Sequence, residues 1–333
     1  MENDELSDLN VYCRLRPSES GKKMVYRLTE SNTVISIDHE QHKQPKTSSY
    51  EFKRIFDEKT SQSEVFQRAV VPIFEKVLQG YNGCFIAFGK PLTGKTHSLV
   101  GKSKNIEHMG EQCLTAGAIQ RTLYHLFETM KKEVYEYIEV TLRLHLLEVY
   151  NDRVYDLTAE GDAEELKVVG SGSAGDPFEV KGVTELTVGS LNEALYFVQM
   201  CLNKRRRGAE GERLKSHVIA NLSISQESLI TKIVRTGEMS FVDLAGGDHK
   251  KQDEYCEDDV IEQQILNNTS SAILHIIECL AKGSKPNFSS FNLTRYSSLI
   301  SESSKSISSA TVSPAFSSPV LLMRRSCKTR SPR

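Results

Sequence analysis

A continuous apolar run, Cys84-Phe85-Ile86-Ala87-Phe88, leads directly into Gly89-Lys90-Pro91-Leu92-Thr93-Gly94-Lys95-Thr96. The run has the length of a buried strand and ends at a glycine. The octapeptide that follows is a full match to the phosphate-binding loop pattern. Its glycines let backbone N–H groups close around phosphate oxygens. Lys95 neutralises charge on the outer phosphates, and the Thr96 hydroxyl is a hard ligand for Mg2+. Further on, Asp243-Leu244-Ala245-Gly246 ends a second apolar strand. There an Asp supports Mg2+ through water and a Gly amide senses the terminal phosphate. The stretch from Lys95 to Asp243 is long for a small GTPase and no NKxD sequence occurs, so the pair of motifs favours ATP over GTP.

Helical and strand patterns alternate along the chain, which predicts an α/β fold. Ser61 to Glu64 is a capping box opening an amphipathic helix over 61–79, with Val65, Phe66, Ala69, Val70, Phe74, Val77 and Leu78 on its apolar side and a kink expected near Pro72. Ile119 to Met130 repeat with helical spacing, whereas Val140, Leu142, Leu144 and Leu146 alternate as in a strand. Residues 158–176 read as a surface loop or hairpin. A second capping box, Ser190 to Glu193, opens a helix that ends in Lys204-Arg205-Arg206-Arg207, read as a solvated helix end. Two strands are expected around a Thr236-Gly237 turn, and a long helix carries Ile273, Ile276, Ile277 and Leu280 to Gly283. The organisation is a tail over 1–8, one domain over 9–300 and a Ser-rich, basic tail over 301–333, expected to be poorly ordered.

Forty-two Lys and Arg stand against 44 Asp and Glu, a net charge of −2, so nothing draws the whole chain to nucleic acid or to an anionic membrane. No apolar window approaches a membrane span, and the acidic amino terminus lacks the apolar core of a leader. The seven cysteines form no CxxC pair and are odd in number, as expected of reduced thiols in a cytosolic protein.

The ordered segments CRLRP at 13–17, FDEKTSQSEVF at 56–66, GYNGCFIAFGKPLTGKTHSLVG at 80–101, LLEVYNDRVYDL at 146–157, FVDLAG at 241–246 and NLTR at 292–295 resemble the kinesin motor domain. That resemblance implies a mixed eight-stranded sheet with helices on both faces, binding of ATP and Mg2+, a microtubule partner, and a cytoplasmic, cytoskeletal location. By position it places Arg14, Arg16, Pro17 and His97 beside the adenine and Gly89 to Thr96 around the phosphates. Thr96, Ser223 and Asp243 then serve Mg2+, while Ser223, Gly246 and Asp248 serve catalysis. A stalk for dimerisation is not expected within this chain.

The departures from the family are chemical. Its first switch reads NxxSSRSH. Matched to Ile219-Ala220-Asn221-Leu222-Ser223-Ile224-Ser225-Gln226, that pattern loses its arginine to Ile224 and its histidine to Gln226. In the second switch, Gly247-Asp248 replaces Ser-Glu. Without an Arg–Glu pair to close the switches, turnover is expected to fall on the order of a thousandfold. Pro91 also removes one N–H from the phosphate loop. Residues 248–262 hold seven acids against Lys250 and Lys251, the wrong sign for acidic tubulin, so track binding is expected to be weak. Lys181, Lys282, Lys285 and Arg295 remain as contacts. Two readings follow: an ATP-driven microtubule motor domain, or a degenerate motor fold acting as a nucleotide-gated or static binding module.

Overall fold

The structure is a computed structural model that describes residues 10–17, 26–39, 46–101, 114–171, 178–206, 215–246, 257–281, 284, 287–288, 290–295 and 307–312. Its main sheet is mixed. The strands are β1 (Asn10–Arg14), β5 (Arg54–Phe56), β6 (Gly83–Phe88), β7 (Ile138–Tyr150), β8 (Arg153–Asp156), β9 (Glu164–Val169), β10 (Glu179–Lys181), β11 (Leu186–Val188), β12 (His217–Ser228), β13 (Val234–Asp243) and β14 (Ile307–Val312). They run in the order β10-β9-β8-β7-β12-β13-β6-β14-β1-β5, with β11 paired to β7. The sheet therefore holds eleven strands, because short strands such as β10 and β11 extend the expected eight. The half from β13 to β5 is parallel, and the half from β10 to β13 is antiparallel. A separate antiparallel sheet of β2 (Tyr26–Leu28), β3 (Val34–His39) and β4 (Lys46–Glu51) packs Ile35 against Cys13, Leu15 and Ile55.

Strict alternation along the strands divides the core between two faces. Phe85, Leu142, Leu144, Leu146, Leu222 and Phe241 face one side, under α1 (Gln62–Val65), α2 (Val71–Leu78), α4 (Ala118–Met130) and α5 (Leu191–Asn203). Cys84, Leu147, Val149, Ile219 and Val242 face the other, where Ile273 and Ile277 of α6 (Glu257–Ala281) cover them. Both serine N-caps form: Ser61 Oγ accepts from Glu64 N at 3.1 Å and Ser190 Oγ from Glu193 N at 3.2 Å, while Glu193 Oε2 accepts from Gly189 N at 2.7 Å. The irregularity expected at Pro72 is a π turn over Phe66–Val70, after which α2 restarts with the proline in its first turn. Proline is tolerated there because its missing N–H would have had no helical partner. Cys13, Cys84 and Cys201 are buried free thiols, and burial pushes the first two up to about 12. Among the described residues no helix is long and apolar enough to cross a membrane.

One expectation is narrowed and one is corrected. Of the loop or hairpin expected over 158–176, the structure shows the hairpin, β9 pairing with both β8 and β10, with 172–177 outside the described residues. Thr236-Gly237 is not a turn but lies inside β13; the reversal sits at residues 229–233, where Ser228 N donates to Ile233 O at 3.0 Å. Gly237 is required by packing, since a Cβ there would come within 2.1 Å of Val77 O. Beyond residue 300, Ile307–Val312 forms β14, a parallel strand between β1 and β6.

Gly237→Ala should destabilise the fold by about 1–3 kcal/mol through overpacking against the α2 terminus, read as a fall of several degrees in the thermal midpoint. A chain ending at residue 300 should melt lower than one ending at 318, because β1 loses its β14 partner. Equal midpoints would place β14 outside the folded core.

Candidate functional site

The loop between β6 and α3 (Lys95–Leu99) lies at the carboxyl ends of parallel strands, where open α/β sheets hold ligands. Gly94 has φ 96°, a left-handed value that glycine adopts without strain, and it caps α3. Lys95 is only 8% exposed; its Nζ donates to Gly89 O at 2.8 Å and to Lys90 O at 2.7 Å. Burial pulls its pKa down to about 8, with the Asp243 charge pulling partly back. Thr93 is buried and its Oγ1 donates to Lys90 O at 3.0 Å. Pro91 offers no N–H, and Leu92 stands 86% exposed at φ 63° with its carbonyl accepting from the Arg16 guanidinium.

The residues expected near the adenine split into two groups. Arg14, its pKa lowered to about 10 by burial, donates to Gln62 Oε1 at 2.5 Å and to Ser98 Oγ at 2.9 Å. Gln62 Nε2 in turn donates to His97 O at 2.5 Å, so Arg14 and Gln62 brace α3 from behind. Arg16 reaches the loop tip instead, and Pro17 is exposed beside it.

Across the loop, Thr96 Oγ1 donates to Asp243 Oδ2 at 2.6 Å. Parallel pairing of β13 with β6, Asp243 opposite Ala87, brings these two oxygens together. Gly246 lies directly on the loop: a Cβ there would come within 2.5 Å of Pro91 N, 2.6 Å of Lys90 C and 2.7 Å of Gly89 O. The donor set fits a magnesium–nucleotide group. It has a buried ammonium, two hard oxygens in contact and a backbone loop that admits only glycine at its closest approach.

Ser223 is not part of this arrangement. It sits within β12, opposite Glu238 and Arg143, whereas the residue facing Asp243 is Val218. Five residues of strand separate the two, about 17 Å at a rise of ~3.3 Å per residue. Ser223 therefore cannot share a metal ion with Thr96 and Asp243, and Ile224 and Gln226 do not occupy switch positions. Gln226 instead donates to Leu78 O at 2.8 Å. Asp248 lies outside the described residues, as does Gly247. What the sequence reading missed is Ser216-His217 at the start of β12, where His217 Nδ1 accepts from Ala245 N at 3.0 Å. The Ser-His dipeptide that closes the pattern NxxSSRSH was the available signal. Aligned on it, Lys215 takes the arginine position, and its Nζ donates to Gln263 Oε1 of α6 at 3.2 Å.

The sequence model of the kinesin motor domain matches residues 14–318. A kinesin-like protein of Oryza sativa subsp. japonica is 27% identical over 285 residues, 84% of this chain and 22% of the relative. Kinesin-related protein 13 of Dictyostelium discoideum is 28% identical over 294 residues, again 84% of this chain and 22% of the relative. The chain thus spans about a fifth of the length of these curated relatives. A solved structure of a fast kinesin, described for its ATPase mechanism and interactions with microtubules, superposes with a TM-score of 0.76 at 25% identity, covering 92% of this chain and 84% of that one. With a phosphate-loop strand at the centre of a mixed sheet and a family match over most of its length, the chain belongs to the kinesin motor domain family.

Proposed function

We propose that this chain is a motor-type domain that binds ATP with Mg2+ and couples nucleotide state to binding of a microtubule at the cytoskeleton. The observation that carries the reading is the Lys95 ammonium, buried on the Gly89 and Lys90 carbonyls next to the Thr96–Asp243 pair. In this reading Gly89 to Thr96 and the Lys95 ammonium hold the phosphates. Thr96 and Asp243 serve the metal, which supplies charge neutralisation on the phosphate oxygens. Gly246 carries the state of the terminal phosphate into the segment after β13. Arg16, Pro17 and His97 line the base side, with Arg14 supporting α3 rather than touching the base.

The second reading, a module that binds nucleotide with little turnover, draws on Pro91 and the left-handed Leu92. Ile224 lies within β12 and gives it no support. In sequence, Lys215 and Asp248 keep the charge signs of the family's Arg and Glu, so slowed hydrolysis is the better expectation than its loss.

A fluorescent ATP analogue should bind the wild-type chain with Mg2+, and Lys95→Ala should weaken it by about a hundredfold through loss of charge-assisted contacts. Steady-state hydrolysis should rise when microtubules are added. Absence of nucleotide binding in both proteins would overturn the reading; binding with no microtubule-stimulated turnover would select the second. Asp243→Asn should cost about tenfold in the Mg2+-dependent part of the affinity, read by comparing titrations in Mg2+ and in EDTA. Co-sedimentation with microtubules should be strongest at low ionic strength and decline as salt screens the few basic contacts.

A further inference from the structure

The basic run after α5 was expected to be a solvated helix end, yet Arg205 is 9% exposed and faces Glu148 of β7, which is fully buried. Arg205 Nε lies 3.7 Å from Glu148 Oε1. Around this pair the polar groups close into a chain. Ser216 Oγ donates to Glu148 Oε1 at 2.5 Å, while the Arg205 guanidinium donates to Ser216 O and Ser216 Oγ, each at 3.1 Å. The second carboxylate oxygen of Glu148 accepts from Arg206 N at 3.1 Å, and the Arg206 guanidinium lies 3.6 Å over the Tyr155 ring. Beyond Ser216 comes His217, 3% exposed, accepting the Ala245 amide on Nδ1. An Nδ1 that accepts from an amide is unprotonated, so the ring is neutral, in agreement with the burial and nearby Lys95 and Arg205 charges that push its pKa down to about 3.

We propose that Glu148, Arg205, Ser216 and His217 form a buried positioning relay that sets where the Asp243–Gly246 turn sits against the phosphate loop. The inference rests on the nucleotide-binding reading above. Ala245 stands between Asp243, whose carboxylate meets Thr96, and Gly246, whose backbone lies on Gly89 to Pro91. With Leu244 N already donating to Ala87 O at 3.2 Å, the bond from Ala245 N to His217 sets the next step of the turn, between its two contacts. A buried carboxylate left without its guanidinium cannot stay charged where it is, so the ion pair holds Ser216 and with it the start of β12. None of these four side chains is asked to touch nucleotide, and their effect is to be read through the turn. A structural role alone would lower stability without altering how affinity depends on Mg2+; a positioning role changes that dependence.

The test titrates the fluorescent ATP analogue in Mg2+ and in EDTA against wild type, Glu148→Gln, His217→Phe and His217→Asn, with folding followed by circular dichroism and thermal melting. Asn places an acceptor oxygen near the position of Nδ1, and Phe keeps the ring without an acceptor. The gain in affinity from Mg2+ should fall about tenfold in Glu148→Gln and His217→Phe, and His217→Asn should recover most of what His217→Phe loses. If Glu148→Gln does not fold, Ser216→Ala carries the remote arm, because it cuts the hydroxyl link while leaving the ion pair intact. Wild-type binding together with folded variants of unchanged Mg2+ gain, or failure of His217→Asn to recover over His217→Phe, overturns the relay and leaves the nucleotide reading standing. No binding by wild type overturns the nucleotide reading, and the relay falls with it.

Discussion

The rest of the site depends on one buried ammonium. An isolated Lys95 charge could not be held at this depth, so the loop must turn the carbonyls of Gly89 and Lys90 inward to meet it. That inversion of the backbone is possible because Gly94 takes φ 96° and Gly89 takes φ 154°. With the loop closed on its own lysine, its outer backbone is presented to β13, and only a glycine at 246 can lie against it. Parallel pairing of β6 with both β13 and β14 keeps the strand ends level, so Asp243 meets Thr96 without a long side chain. Charge burial, glycine placement and strand register are thus three expressions of one constraint.

The motifs that were legible in the sequence are those in which a backbone requirement forces a residue type. Gly89, Gly94 and Gly246 are each fixed by a conformation or a close approach, and Ser61 and Ser190 by an orphan amide at a helix start. Register was less legible. β12 carries Ser223 and Ser225 at strand spacing, so a serine-rich pattern matched nine residues too late, while the true marker, Ser216-His217, was passed over. Gly237 misled for a related reason: a glycine needed for helix–strand contact looks, in sequence, like a glycine needed for a turn. β14 was invisible because nothing local distinguishes a serine-rich strand from a serine-rich tail until its partners β1 and β6 are known.

Charge followed the same rule in reverse. Arg205, Arg206 and Lys204 read as a solvated basic cluster, yet Arg205 is paired with a buried Glu, Arg206 stacks on Tyr155, and Lys204 donates to Ala159 O at 2.5 Å. Composition counts charges; only the fold says which of them are spent internally. Of the expected track contacts, Lys181 lies 2.6 Å from Glu179 and Arg295 stands over Phe178 at 5.7 Å. Exposed pairs of this kind contribute little stability, about 0–1 kcal/mol, and exchange partners readily, so Lys181 stays available to an acidic surface.

The proline in the phosphate loop can be weighed in the same terms. A lost N–H matters in proportion to what that hydrogen would have met, and removal of a phosphate donor costs about 1–3 kcal/mol. Here the Pro91 nitrogen lies under the backbone of Gly246, within 2.5 Å of where a Cβ would stand. In this arrangement the Gly246 backbone already covers the position. Lys95 takes its carbonyls from Gly89 and Lys90, both before the proline, and the ring's fixed φ leaves them undisturbed. On the nucleotide-binding reading proposed above, the substitution falls where Gly246 already covers the loop, and its effect on affinity belongs at the lower end of that range.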